Sequence, residues 1–454
     1  MKKKVIIIGA GIAGIASAIE LAQKGVEVTV IERRAFPGGR MYSFMDNDTD
    51  ELIDNGQHLM AGAYIHFFNI LKNLNTFHLL EFQKSLKVPF IDKDCNKSLL
   101  DSSAFPGKAG FLYGLLRFSG ISFNSKISTI KLIRNLLNDN VECEGLTVAQ
   151  LLVVNHIPKD ITERFWEPLC LAAMNLNIKD AAAQLLANVL KRLFQKGRTS
   201  ALAFSKAPLS NLIEPFNKWF LNIGGKVIYK TNVKELQIEE NRISVILDNN
   251  DILTADAVIS AIPYHAFMKI LPEKYHDYLF FKTLKDYKSS SIISMYLWLD
   301  KNISENNFTG MIGTKTQWVF NRRNICEADK SIIEKYPGHL TLTISGANDI
   351  IDSEQETLVM ECFKEVKTAF KSDANLLAWK VIKEKRATFI ASPGMEETRL
   401  SQQTPIDKLF LAGDWTATGL PATLEGAAFS GVLAAESVIN YFEENKNNNM
   451  TTKY

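Results

Sequence analysis

Val5-Ile6-Ile7-Ile8 is a run of β-branched residues without a polar interruption, the pattern of a strand buried on both faces of a parallel sheet. Gly9, Gly11 and Gly14 break the apolar run that continues from it, and Val26-Glu27-Val28-Thr29-Val30-Ile31 follows as a second strand. Strand, helix and strand at this spacing predict a βαβ unit. From about 96 to 214 the pattern turns predominantly helical; from Gly224 it becomes strand-like again, with short runs at 226–229, 233–238, 243–247 and 257–260 punctuated by Asn, Asp and Gly. Strands at 292–299 and 339–344 and a helix at 354–369 come next, and Leu409-Phe410-Leu411-Ala412 opens a last strand-turn-helix. The alternation predicts an α/β protein in which one domain, at 1–95, 215–270 and 385–442, is interrupted by a mixed α+β domain at 96–214 and 271–384. The Asn-, Lys- and Glu-rich segment 443–454 predicts a disordered tail.

A length of 454 residues exceeds what one hydrophobic core serves, in keeping with two packed domains. With 52 Lys and Arg against 50 Asp and Glu, there is no general electrostatic pull towards nucleic acid. The five cysteines are scattered and form no CxxC pair, which argues against a disulfide framework or a structural zinc site and fits a reducing cytoplasm. Lys2-Lys3-Lys4, the apolar run behind them and Ala16-Ser17-Ala18 imitate a secretory signal. The spaced glycines and the strand that follows favour the βαβ reading instead. No segment offers the roughly 18 apolar residues of a spanning helix.

The candidate chemistry begins at Gly9-x-Gly11-x-x-Gly14. Directly after a buried strand, Gly9 permits a tight turn, Gly11 lets the backbone approach a pyrophosphate, and Gly14 allows a helix to pack closely on the strand. Glu32, about 20 residues on at the end of the second strand, is placed to accept from ribose hydroxyls. Pro37-Gly38-Gly39-Arg40 adds a second glycine loop and a guanidinium that can neutralise a diphosphate or hydrogen-bond a flavin carbonyl. There is no second GxGxxG, so no nicotinamide site is evident and the electron donor stays unidentified.

Gly38-Gly39-Arg40 after this opening, with 409–415 and 421–427 near the end, resembles the flavin amine oxidase and phytoene desaturase superfamily. The resemblance implies a discontinuous Rossmann-like domain binding FAD non-covalently, with the substrate domain inserted. It implies that Gly9, Gly11, Ala13, Gly14, Glu32 and Arg33 hold the dinucleotide, with Val233 against the adenine. Gly38, Gly39, Arg40 and the segment Asn55, Gly56, Gln57 and His58 would follow it towards the flavin. Gly413, Asp414, Pro421, Ala422, Glu425 and Gly426 would complete the flavin end, Asp414 near the ribityl chain and the helix starting near Ala422 aimed at the ring.

Three blocks narrow the likeness: Asp54-Asn55-Gly56-Gln57-His58-Leu59, residues 165–175 beginning Phe165-Trp166-Glu167-Pro168, and residues 413–426. Together they resemble the hydroxysqualene dehydroxylase family, which implies reductive removal of an allylic hydroxyl from a C30 isoprenoid by reduced flavin. Residues 300–380 carry no matching block. An oxidative desaturase or amine oxidase is a rival reading. A non-catalytic prenyl-binding protein of the GDP dissociation inhibitor kind is another, opposed by Arg40, Asp414 and the 421–426 segment. For the proton that the leaving oxygen needs, His58 and Glu167 are both candidates; His58 could equally fill space beside the cofactor, and Glu167 could cap the helix before Pro168. No GxSxG hydrolase elbow occurs. Finally, residues 111–137 place Ile127, Ile130, Ile133 and Leu137 at helical spacing between Lys126, Lys131 and Arg134. A helix packed on the domain and a basic amphipathic helix on the inner face of the cytoplasmic membrane both fit that pattern.

Overall fold

The βαβ unit forms where the hydrophobic pattern places it. In the computed structural model, which describes residues 2–194, 201–240 and 242–451, β1 (Lys4–Ile8), α1 (Ile12–Gln23) and β2 (Glu27–Ile31) follow in order. They sit in a five-stranded sheet ordered Lys226–Ile228, β2, β1, Ala257–Ser260, Leu409–Leu411, with every pairing parallel. Residues 5–8 of β1 are all buried, as a strand covered on both faces requires. One cover is the C-terminal helix Leu424–Thr451, which lies against α1 so closely that a Cβ on Gly431 would fall 2.2 Å from the Ala13 carbonyl oxygen. Ser17 Oγ donates to the Gly431 carbonyl at 2.9 Å across that seam. The small residues of the last helix thus serve packing. The helix continues past Phe442 to Thr451, where composition predicted disorder; a long buried stem already supplies its nucleus, and Asn445 Nδ2 donates back to the Tyr441 carbonyl at 2.9 Å. Residues 452–454 of the expected tail lie outside the described residues.

The inserted domain is built on a seven-stranded sheet ordered Leu376–Phe389, Ser289–Leu299, Gly338–Ser345, Trp318–Asn321, Phe308–Ile312, Lys87–Asp92, Lys97–Asp101. Strand alternation divides its duties. Ile293, Met295 and Leu297 turn to the helix Gln355–Phe370, while Tyr296 and Trp298 turn to Ile53 on the other side. Two boundaries differ from the pattern reading. The strands at 87–101 straddle the expected break at 95 and belong to the inserted sheet, and Leu209, Leu212 and Ile213, ahead of the expected break at 214, already belong to the core under β1 with Phe216 and Phe220. An apolar run marks a strand or helix without saying which core it joins.

A helical layer closes the inserted domain: Gly107–Arg117, Phe123–Leu137, Val148–Val154, Glu167–Met174 and Ala183–Leu193. Phe111, Leu115, Leu132, Ile133 and Leu136 face inward with Phe165 and Trp166, so much of the 111–137 apolar stripe packs on the domain. The same apolar interior extends to Leu59, Ile262 and Ala422 at the junction with the parallel sheet. All five cysteines are unpaired.

Candidate active site

The carboxyl edge of the parallel sheet carries two glycine loops that interlock. Gly9 has φ +102°, and a Cβ on Gly14 would fall 1.9 Å from the Gly9 carbonyl oxygen, so both positions require glycine. Gly38 N donates to the Ala10 carbonyl at 2.8 Å, which brings the 37–40 loop alongside the first. Around Gly11 there is room: a Cβ there would meet nothing nearer than Gly39 Cα at 4.0 Å. Gly11 caps α1 without a side-chain acceptor, so the first N–H groups of the helix open on that space.

Glu32 is buried, with one oxygen accepting from Ala10 N and the other from Arg34 N, each at 2.8 Å. The carboxylate therefore clamps both loops and keeps lone pairs for a ribose. Backbone bonds from Glu32 N to the Ile228 carbonyl, from Lys230 N to the Arg34 carbonyl and from Thr231 N to the Glu32 carbonyl draw the segment leading to Val233 to the same edge. The Tyr229 hydroxyl there is buried without a partner, and burial, aided by the Glu32 charge, pushes its pKa up to about 12. Arg33 is exposed; with Arg386, Lys269 and Arg40 it adds to the burial that depresses His265, whose Nδ1 is also buried and unpaired. An open glycine cradle, free helix N–H groups, an orphaned hydroxyl beside the ribose acid and a group of cations together fit an adenine dinucleotide.

At the other end Arg40 pairs with Asp414 at 2.5 Å, also donates to the Ala387 carbonyl, and has its own carbonyl bound by Asn55 Nδ2 at 3.2 Å. The Asp414 charge raises the Arg40 pKa further, so the guanidinium is a fixed cation. Gly413, at φ +147°, donates to Ser430 Oγ, and a Cβ there would strike the Trp415 ring at 2.5 Å. The 413–420 loop is stapled by Arg399, which donates to the carbonyls of Asp414, Thr416 and Leu420 and pairs with Glu396. Arg399 carries no motif of its own, and sequence reading passed it over. So did Arg34, which binds the Gly39 carbonyl at 2.8 Å and stacks its guanidinium 4.7 Å from the Tyr42 ring centroid.

The last helix starts at Leu424, two residues beyond Ala422, with Thr423 Oγ1 accepting from Gly426 N at 3.0 Å. Pro421 and Ala422 lie in the loop that leads to this N-terminus. Glu425 turns elsewhere. Its carboxylate accepts from the backbone of His66 and Phe67 at the start of the helix Ile65–Asn73, from His66 Nδ1 at 2.7 Å and from Arg192 at 3.3 Å. Its side chain is a cap and ion-pair centre, and its backbone N–H lies in the first turn of the last helix. Successive helical residues diverge by about 100°, which turns its side chain away from the face of Gly426.

The Asp54-to-His58 segment is held from the inserted domain. Arg322 pairs with Asp54 at 2.9 Å with both side chains buried, and reaches Gln57 Oε1 at 3.2 Å. Gly56, at φ +126°, makes the turn, and its carbonyl meets His58 Nδ1 at 2.9 Å. The contact with Gly56 occupies Nδ1 of the His58 ring and not Nε2. Burial lowers the His58 pKa; Gly56 and Asp54 oppose that shift and Arg40 adds to it. Glu167 is half-buried with its pKa raised by burial and by Glu163, and its other charged neighbours are Lys179 and Lys159. The structure thus joins His58 to Arg40 and Asp54, and sets Glu167 among helix-layer charges.

Residues 12–439 match the family model described as flavin containing amine oxidoreductase. A hydroxysqualene dehydroxylase of Sinorhizobium fredii is 30% identical, with the alignment covering 97% of this chain and 99% of that protein. One of Rhodopseudomonas palustris is 28% identical over 97% and 99% of the two chains. An oxidoreductase of Methanosarcina mazei shares the fold, at a TM-score of 0.75 and 18% identity over 96% of this chain and all of that one.

Proposed function

The chain belongs to the flavin-containing amine oxidoreductases and is an FAD-dependent oxidoreductase, and from that premise we propose that it reduces hydroxysqualene to squalene. The observation that carries this reading is end-to-end likeness to hydroxysqualene dehydroxylases, which spans the inserted domain as well as the cofactor fold.

FAD bound in its reduced form supplies the hydride that replaces the allylic hydroxyl, so one C–O bond breaks, one C–H bond forms, and the oxygen leaves as water after gaining a proton. The residues of this chain have three tasks around that exchange. Gly11, Glu32, Arg40 and Asp414 bind and orient the cofactor. The apolar interior that meets Leu59, Ile262 and Ala422 holds a hydrocarbon and excludes the water that would recapture an allylic cation. His58 holds the proton at Nε2 while Nδ1 donates to the Gly56 carbonyl in the protonated ring. Because burial favours the neutral ring, only a minor fraction of His58 is in the acid form at neutral pH, and that form is correspondingly the stronger acid.

The test is an anaerobic single turnover: FAD-loaded protein, reduced photochemically, is mixed with hydroxysqualene and the lipids are analysed. Squalene is expected in an amount matching the reduced flavin. Reduced flavin that persists with no squalene overturns the reading, and conversion of squalene to a more unsaturated product by the oxidised protein would favour a desaturase instead.

A further inference from the structure

The helical layer buries one side of its stripe and leaves another bare. On the helix Phe123–Leu137, the residues Phe123, Ile127, Lys131 and Arg134 recur at helical spacing along one exposed line, while Ser125, Thr129, Leu132, Ile133 and Leu136 face the core. Phe123 is 68% exposed and Ile127 45%. Lys126 Nζ donates to the Leu116 carbonyl at 2.8 Å and fastens this helix to the end of Gly107–Arg117, where Leu116 is also exposed. Just before that helix Phe105, 52% exposed, lies edge-on to the Tyr113 ring at 5.2 Å. Isolated exposed apolar residues need no explanation, but several large ones on two joined helices form a patch.

Charge selects the partner. Between Asp101 and Asp139 the chain carries five cations and no acid. Near its ends Asp139 pairs with Lys191 and Glu163 with Lys159, while Asp160 accepts from Ser122 N and Ser125 Oγ. Among the described residues no helix is long and apolar enough to cross a membrane. Apolar side chains among unopposed cations, on a layer whose inner side is continuous with the apolar interior at Leu59, match a bilayer surface.

We propose that the face formed by Leu116, Phe123 and Ile127, flanked by Arg117, Lys131 and Arg134, docks on an anionic phospholipid bilayer. This deepens the proposed function and rests on it for a reason to be there, since a C30 isoprenoid resides in the membrane and enters the apolar interior from it.

The test uses full-length FAD-loaded protein in flotation with vesicles of phosphatidylcholine alone or with a third phosphatidylglycerol. Wild type floats with the anionic vesicles at low salt and is released from them by high salt. K131E/R134E weakens that binding by about fivefold or more per reversed cation, and F123S/I127S abolishes flotation. Flavin absorbance shows that each variant is folded, and all four positions are exposed, so their exchange leaves the core intact. Turnover of detergent-dispersed hydroxysqualene stays unchanged in both variants. Wild type that floats with neither vesicle, or F123S/I127S that floats like wild type, overturns the proposal. Flotation without any squalene formation would remove the substrate reading and leave the surface standing; squalene formation without flotation would do the reverse.

Discussion

Replacing Arg322 by Met should cost the protein more than any exposed ion pair could. Arg322 and Asp54 are each about 97% shielded and sit 2.9 Å apart at the junction of the two domains. Removing the guanidinium leaves a buried carboxylate without its cation, a loss of about 3–5 kcal/mol. Exposed pairs such as Lys285–Asp277 contribute far less, because water screens both charges. For a chain this long, each kcal/mol moves the melting temperature by about 1 °C, so Arg322→Met should melt about 3–5 °C early. Because Arg322 also holds Gln57, flavin fluorescence should rise in the same transition as the tryptophan signal changes. Asp54→Asn in the Arg322→Met background should restore about half of the loss, since the amide oxygen can still accept from Leu209 N or Ser43 Oγ. A single variant melting within about 1 °C of wild type would refute the reasoning, as would a double variant no more stable than the single.

Gly11→Val should purify without FAD, its branched side chain filling the open space of the cradle; undiminished flavin absorbance would displace the binding site. Acid denaturation should release FAD to the supernatant, because no Cys or His lies within 413–426 to tether it, and flavin retained in the precipitate would show a covalent bond. His58→Ala should slow the single turnover by about 100-fold or more with flavin still bound, whereas Glu167→Gln should leave it within about threefold. The wild-type rate should rise as pH falls through neutrality, since the lowered pKa of His58 makes its acid form scarce there, and His58→Ala should flatten that profile. His339, fully buried on Glu51, has its pKa lowered to about 4 by burial. The unfolded chain then binds the extra proton first, so stability should fall between about pH 6.5 and 4 by roughly 2–3 kcal/mol, and His339→Phe melts at pH 7 and 4.5 should show that slope reduced.

The opening βαβ unit was legible in the sequence because its chemistry is written in residues whose order matters, a glycine that must be glycine and an acid at the end of the next strand; that Arg40 and Asp414 pair with each other was not. What the Glu425 side chain does was not legible: it stands in the same motif as Ala422 and Gly426, but its helical position directs its carboxylate to His66 and Arg192. Arg399 and Arg322 were illegible because a lone arginine in sequence carries no trace of the carbonyls or the carboxylate that fold against it from distant segments. The misplaced break at 95 has the same origin, since Val88 and Phe90 are equally apolar in either sheet.

The five parallel strands have a consequence for biogenesis. β1 lies between β2 and Ala257–Ser260, and Leu409–Leu411 and the covering helix arrive only at the end of the chain. A ribosome will therefore have emitted the whole inserted domain before the cofactor cradle can close. The glycine loops and Glu32 are therefore made long before Asp414, and a cofactor site that draws on both ends waits for the strand Leu409–Leu411 and its covering helix to be synthesised.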